Sequence, residues 1–361
     1  MKIGIIFPGQ GAQFLGMGKE FYDSERIVQE LFEEASSCLD QNFVRLCFAS
    51  SDKELRETVN AQTSIFLVAT AIFNILNKKY NITPDLVAGH SSGEYAAIYA
   101  AGGMNFPDAL YLLKKRAAFM QETTINQDGG MLAVIGMEQE ELEAICEKYN
   151  NSESDKHVAQ VVNYNSKNQF VVSGTTPELE GIKFEVKKAK AKPISLNVAG
   201  AFHSRLMKEP ATNFNLYLVK VDFKDLNPET KLVNNVDAQI VSDKTQVKSS
   251  LVKQISSPVL WWQSMQHFKD MDLILELGPS GKLAKMLQKE WPDKKIMSIA
   301  SQDDMHDLLT FLDKKIIKDE MDGIADEVEK IKKPAKVLEP KIEVTDNVVE
   351  ALNVEDEEAS L

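Results

Sequence analysis

At 361 residues, 43% of them hydrophobic and 26% charged, the chain is long enough for a large core and has the composition of a soluble globular protein. Its formal net charge of −13 argues against a nucleic-acid-binding surface, because phosphate recognition needs clustered Lys and Arg. Cys38, Cys47 and Cys146 are scattered and lack metal-ligand spacing, so they read as reduced, mostly buried thiols of a cytoplasmic protein. No run reads as a signal peptide or as an apolar stretch long enough to cross a bilayer.

In chain order, residues 3–7 are a continuous apolar run, the pattern of a strand buried on both faces of a parallel sheet. The following Pro8-Gly9-Gln10-Gly11-Ala12-Gln13 reads either as an ordinary strand-to-helix turn or as a loop that faces a reacting carbonyl. Residues 21–46 are expected to be helical, and 58–76 form a more apolar helix that packs on the sheet. A short strand at 86–89 then enters Gly89-His90-Ser91-Ser92-Gly93, and the helix behind it ends at Gly102-Gly103, a glycine C-cap. Residues 106–122 form a helix with Leu110, Leu113, Ala117 and Met120 along one face and Arg116 beside it.

The texture changes at Gly129-Gly130. Strands at 131–136, 158–164, 169–173 and 191–198, with helices at 139–148 and 176–186, give the β-α-β-β-α-β order of a ferredoxin-like unit. After it come an extended segment at 231–235, a helix leading into Ser256-Ser257-Pro258-Val259, and a helix carrying Trp261, Trp262, Met265 and Phe268. Strands at 273–277 and 295–299 complete the series. The fold class expected is α/β: an α/β-hydrolase-like core with a parallel sheet, residues 1–128 and 199–305, interrupted by a ferredoxin-like subdomain at 129–198. Residues 306–361 read as a charged tail, helical over 306–333 and a disordered acidic segment from 334 onward.

The chemistry centres on Ser91. A Gly-x-Ser-x-Gly turn between a strand and a helix is a nucleophile elbow: the glycines permit the tight turn, and the helix start offers free N–H groups to an oxyanion. A serine at its free pKa needs a base within hydrogen-bond reach. Of the five histidines, His90 adjoins Ser91 but points away on such a turn. His157 follows a polar run, and His267 and His306 sit on ordinary helical stretches. His203, in a Gly- and Ala-flanked loop, is the best base candidate. No acid partner for it is evident, although a backbone carbonyl suffices to orient an imidazole. Taken alone, Arg116 on its helix reads as a surface charge.

The ordered set Pro8-Gly9-Gln10-Gly11, Gly89-His90-Ser91-Ser92-Gly93-Glu94-Tyr95, Arg116 in Lys-Arg-Ala-Ala-Phe-Met-Gln, Asn163-Tyr164-Asn165, Gly200-Ala201-Phe202-His203-Ser204 and Glu276-Leu277-Gly278-Pro279 resembles the malonyl-CoA:acyl carrier protein transacylase family. The similarity runs from Lys2 to about residue 301 and leaves the tail outside. It implies ping-pong transfer of malonyl from coenzyme A to Ser91 and on to the phosphopantetheine thiol of acyl carrier protein, in fatty acid biosynthesis. His203 would be the base, oriented by the main-chain carbonyl of Gln254. The backbone N–H groups of Gln10 and Ser92 would form the oxyanion hole. Arg116 would hold the malonyl carboxylate, Phe202 would narrow the acyl pocket, and Asn163 and Asn165 would line the cleft on the subdomain side. No cofactor or metal is implied beyond the coenzyme A thioester itself. The expected partners are malonyl-CoA and acyl carrier protein, with no nucleic acid and no membrane, for a cytoplasmic monomer. Ser92 departs from the family, which more often carries an apolar residue there. The alternatives are a serine thioesterase or esterase on the same elbow, and a non-catalytic carrier-protein-binding module.

Overall fold

Five short strands define the larger sheet, the central three fully buried: β1 (Ile3–Phe7), β2 (Leu86–Gly89), β7 (Lys231–Val233), β8 (Leu273–Leu277) and β9 (Ile296–Ile299). In the computed structural model they pair in parallel in the order β7-β2-β1-β8-β9. The structure describes residues 1–125, 128–198 and 200–315. Residues Met1–Leu308 form one compact unit and Leu309–Leu361 a second; of the second, residues 309–315 are described and are helical. The remainder of the expected 306–333 helix and the acidic segment lie outside the described residues.

Stretch 129–198 carries a sheet of its own. Strands β3 (Gly129–Ile135), β4 (Ala159–Ser166), β5 (Gln169–Thr175) and β6 (Lys192–Ser195) run antiparallel in the order β4-β5-β3-β6, with helices Gln139–Tyr149 and Thr176–Lys188 between them. This is the split βαβ arrangement, with its own core of Leu132, Val134, Ile145, Phe170, Val172 and Ile182. The smaller sheet is tied by backbone to the segment just ahead of Trp261: Val259 N–H donates to the Val162 carbonyl at 2.8 Å, and Tyr164 N–H to the Val259 carbonyl at 3.0 Å.

Three sequence expectations are corrected. Residues 21–46 are not one helix but three pieces, Lys19–Ser24, Arg26–Leu39 and Phe43–Ala49. Glu25 is extended, Asp40 is left-handed at φ 49°, and the Asn42 side chain accepts from Arg45 N–H to start the third piece. The strand expected at 191–198 is only β6, four residues long. The third correction is that one helical run, Thr58–Lys79, does have the length and apolarity to cross a membrane. Burial explains it, since 89% of its apolar window is enclosed by the protein, and a helix covered on all sides is apolar all round. Of the thiols, Cys47 and Cys146 are buried and Cys38 is exposed.

The helix after β2, Glu94–Ala100, ends as its glycines require. Gly102 is left-handed at φ 79°, its N–H donates to Tyr99 O, and Gly103 N–H donates to Ile98 O, both at 2.9 Å. These two bonds make a Schellman cap.

Candidate active site

Parallel strands deliver all their following loops to one edge of the sheet, and here three of those loops meet. Phe7 of β1 pairs with Gly89 of β2, so the loop through Gly9 and Gln10 lies against the elbow. The approach is close enough to demand glycine. A Cβ on Gly89 would sit 2.0 Å from the Gly93 backbone, and one on Gly9 would sit 2.4 Å from the His90 carbonyl oxygen. Neighbouring β7 leads into Asn235, whose amide clasps both sides of the turn. Its Nδ2 donates to Gly89 O and its Oδ1 accepts from Ser91 N–H, each at 2.7 Å. Ser91 itself is held at φ 52°, a left-handed backbone unusual for serine and typical of a strained, exposed nucleophile.

His203, at φ 62°, reaches the same point from the loop that follows the smaller sheet. Its Nδ1 donates to the main-chain carbonyl of Gln254 at 2.8 Å. That acceptor places the proton on Nδ1, and Nε2 is left to accept from Ser91 Oγ at 2.7 Å. Burial, and then the Arg116 charge, lower the imidazole pKa to about 3. Phe202 is buried beside it, its carbonyl accepting from Ser173 Oγ at 2.6 Å.

Arg116 is not the surface charge its isolated position suggests, because its residue is 0% exposed. The helix Phe106–Thr123 packs on Thr58–Asn74, with Phe106 stacked on Phe66, and this directs the guanidinium to the elbow. Nη1 donates to Gln62 Oε1 at 2.7 Å. Nη2 donates to Gln254 Oε1 at 2.8 Å and to Ser91 Oγ at 3.0 Å, while Nε has no partner. Gln62 Nε2 in turn donates to Gln10 Oε1 at 3.1 Å, tying the arginine to the first loop. Gln254 Nε2 donates to Ser91 O at 3.0 Å and to the Glu94 carboxylate. Burial raises the Glu94 carboxyl to about 7, against the lowering effect of its bond from Gln254.

The remaining expected residues fall at different distances from this cluster. Gln10 and Asn165 line a cleft of about 450 Å³ beside the elbow, together with Gly11, His90, Lys282 and Lys285. Asn165 Oδ1 lies 2.9 Å from His90 Nε2, and the His90 ring packs edge-on against Trp261, so His90 faces the smaller sheet and not Ser91 Oγ. Asn163 is buried at the bulge where β4 meets Val259, and it is not among the described residues lining that cleft. Ser92 is buried and its Oγ has no hydrogen-bond partner. Three polar contributors escape sequence reasoning. Gln62 lies within an apolar helix, Asn235 within an extended segment, and Glu94 within the elbow motif with no sign of its partner.

The assembled groups are those of acyl transfer: a hydroxyl hydrogen-bonded to a neutral imidazole, two abutting loops with backbone N–H groups, and a buried guanidinium with an unused donor. Comparison with known proteins agrees. The acyl transferase domain family model matches residues 5–314. The chain is 35% identical over 305 residues to the malonyl CoA-acyl carrier protein transacylase of Bacillus subtilis, covering 84% of this chain and 94% of that relative. The crystal structure of the malonyl CoA-acyl carrier protein transacylase from Clostridium perfringens matches with a TM-score of 0.83 at 30% identity, covering 89% of this chain and 100% of that one. A malonyl-transacylase in complex with its type II PKS acyl-carrier protein matches with a TM-score of 0.80 at 28% identity, covering 84% and 97%. With its elbow, its histidine and its buried arginine in one cluster, this chain belongs to the malonyl-CoA:acyl carrier protein transacylase family.

Proposed function

We propose that the protein transfers malonyl from malonyl-CoA to the phosphopantetheine thiol of acyl carrier protein through a malonyl-Ser91 ester, supplying fatty acid biosynthesis. The observation that carries this reading is Arg116 Nη2 at 3.0 Å from Ser91 Oγ, a buried positive charge within hydrogen-bond reach of the nucleophile and so beside any acyl group it carries. Ser91 Oγ attacks the thioester carbonyl while its proton passes to His203 Nε2. The oxyanion is received by the backbone N–H groups of Gln10 and Ser92, and the coenzyme A sulfur leaves with the proton from His203. The carrier thiol then gives its proton to His203 and attacks the Ser91 ester; Ser91 Oγ leaves, takes that proton from His203 Nε2, and malonyl departs on the carrier sulfur. The base, the nucleophile and the oxyanion donors are all groups of the chain, and these steps use no cofactor beyond the coenzyme A thioester. Phe202 narrows the acyl pocket beside His203, and Asn165, unlike the buried Asn163, serves the subdomain side of the cleft. The enzyme acts as a cytoplasmic monomer on soluble partners.

A serine hydrolase on the same elbow would choose water as acceptor. Incubation with malonyl-CoA and holo acyl carrier protein should move most of the malonyl to the carrier, followed by mass spectrometry of both proteins. Release of free malonate in place of malonyl-carrier would overturn the transferase reading.

The lowered imidazole pKa has a measurable consequence. A base is competent only when neutral, and His203 stays neutral down to about pH 3. The kcat/KM for acylation, which reports the free enzyme, should therefore stay flat from pH 8 to pH 5. An acid limb centred near 6.5 would contradict it. The same shift makes stability depend on pH. Between pH 6.5 and 3 the unfolded histidine binds a proton that the folded one refuses, so this group lowers stability as pH falls through that window. Glu94, raised from 4.5 to about 7, acts in the opposite sense and lowers stability as pH rises through that range.

A further inference from the structure

Arg116 has an unusual set of partners for a fully buried cation. Each group that accepts from it, Gln62 Oε1, Gln254 Oε1 and Ser91 Oγ, is neutral. A direct ion pair would hold the guanidinium firmly but would occupy the fork that a substrate carboxylate must enter. Neutral acceptors leave the charge available, yet they bring a difficulty. A primary amide can present either its oxygen or its NH2 group, and a guanidinium repels the latter. Gln254, 0% exposed, therefore needs something to hold its amide one way round.

Two acceptors do so on the far side of the amide. Gln254 Nε2 donates to the Ser91 carbonyl at 3.0 Å and to the carboxylate of Glu94. Glu94 is the first residue of the helix behind the elbow and is 1% exposed. Its side chain sits on one side of the Gln254 amide and Arg116 on the other, so the three form a line: carboxylate, amide, guanidinium. The main-chain oxygen of the same Gln254 orients His203.

We propose that Glu94 is a positioning residue for malonyl recognition: it holds the Gln254 side-chain amide so that Oε1 faces Arg116, which keeps the guanidinium in place with its charge unpaired and available to the acyl carboxylate. The role rests on the malonyl-transfer reading above and extends it to a residue that never touches the substrate. It depends on an acceptor at position 94, and a neutral amide there supplies one equally well.

The test is the ratio of kcat/KM for malonyl-CoA to that for acetyl-CoA, which has no carboxylate to engage Arg116. Losing one hydrogen bond in the relay to a charged group should lower this ratio about tenfold in Glu94→Leu, and Glu94→Gln should restore it to within about threefold of the parent. In Glu94→Leu combined with Arg116→Ala, the ratio should fall no further than in Arg116→Ala alone, because both act through one contact. Gln254→Met provides a second route if Glu94→Leu fails to fold. It cuts the relay, keeps the main-chain carbonyl that orients His203, and should lower the same ratio. A folded Glu94→Leu or Gln254→Met with an unchanged ratio overturns the proposal, whether malonyl and acetyl rates fall together or not at all. Failure of the parent enzyme to transfer malonyl would instead overturn the reading of the site itself.

Discussion

Ser91→Ala should abolish the malonyl mass increment that the parent protein acquires from malonyl-CoA, and transfer to acyl carrier protein should fall by a factor on the order of 10⁴ or more. His203 Nε2 and Arg116 Nη2 both converge on this one oxygen, at 2.7 and 3.0 Å, and no other hydroxyl in the cluster has a base beside it. Ser92 is the obvious substitute, since it is the neighbouring residue and carries a hydroxyl. Its Oγ is buried without a partner, and a Cβ on Gly9 would lie 3.3 Å from it, so it faces the Gly9 loop and not the imidazole. The backbone clasp from Asn235 is untouched by the substitution, so the variant should fold and bind as the parent does. Labelling that persists in Ser91→Ala, at Ser92 or elsewhere, would remove Ser91 as the nucleophile.

Arg116→Ala should cost malonyl transfer on the order of 100- to 1000-fold in kcat/KM, and acetyl transfer much less. A buried carboxylate deprived of its cation costs about 3–5 kcal/mol, and each 1.4 kcal/mol is tenfold. The variant also leaves Gln62 Oε1 and Gln254 Oε1 without their donor, a penalty that both acyl groups share. Only the difference between malonyl and acetyl therefore measures the carboxylate contact. Arg116→Lys should fall between the two, because a lysine keeps the charge but cannot reach Gln62, Gln254 and the substrate with one planar fork. Equal losses for the two acyl groups would mean that Arg116 supports the site without recognising malonyl.

β1 and β2, whose loops meet at Ser91, are readable in the sequence because each is a short run of apolar residues and glycine. Burial on both faces of a parallel sheet demands that pattern, and little else in a soluble chain produces it. The ferredoxin-like order of 129–198 was readable for a similar reason, with helical and strand periods alternating between clear turns. Residues 21–46 read as one helix because a hydrophobic period persists across Glu25 and Asp40, where the backbone leaves the helix without a proline or glycine to mark it. The membrane-length apolarity of Thr58–Lys79 belongs to the same class of ambiguity. Composition registers an apolar environment without saying whether lipid or protein provides it.

In the sequence by itself, Gly89-His90-Ser91-Ser92-Gly93 between a strand and a helix determines that a serine is presented, because a turn that tight admits only glycine at its close approaches. The ordered motifs from Pro8 to Pro279 determine the family. What only the tertiary structure decides is which polar groups meet. Ser91 and His203 are separated by 112 residues, Gln254 and Glu94 by 160, and Ser91 N–H and Asn235 by 144. Hydrogen bonds act over about 3 Å and carry no trace in local periodicity. Arg116 looks like any helical arginine until packing removes it from water and surrounds it with neutral acceptors.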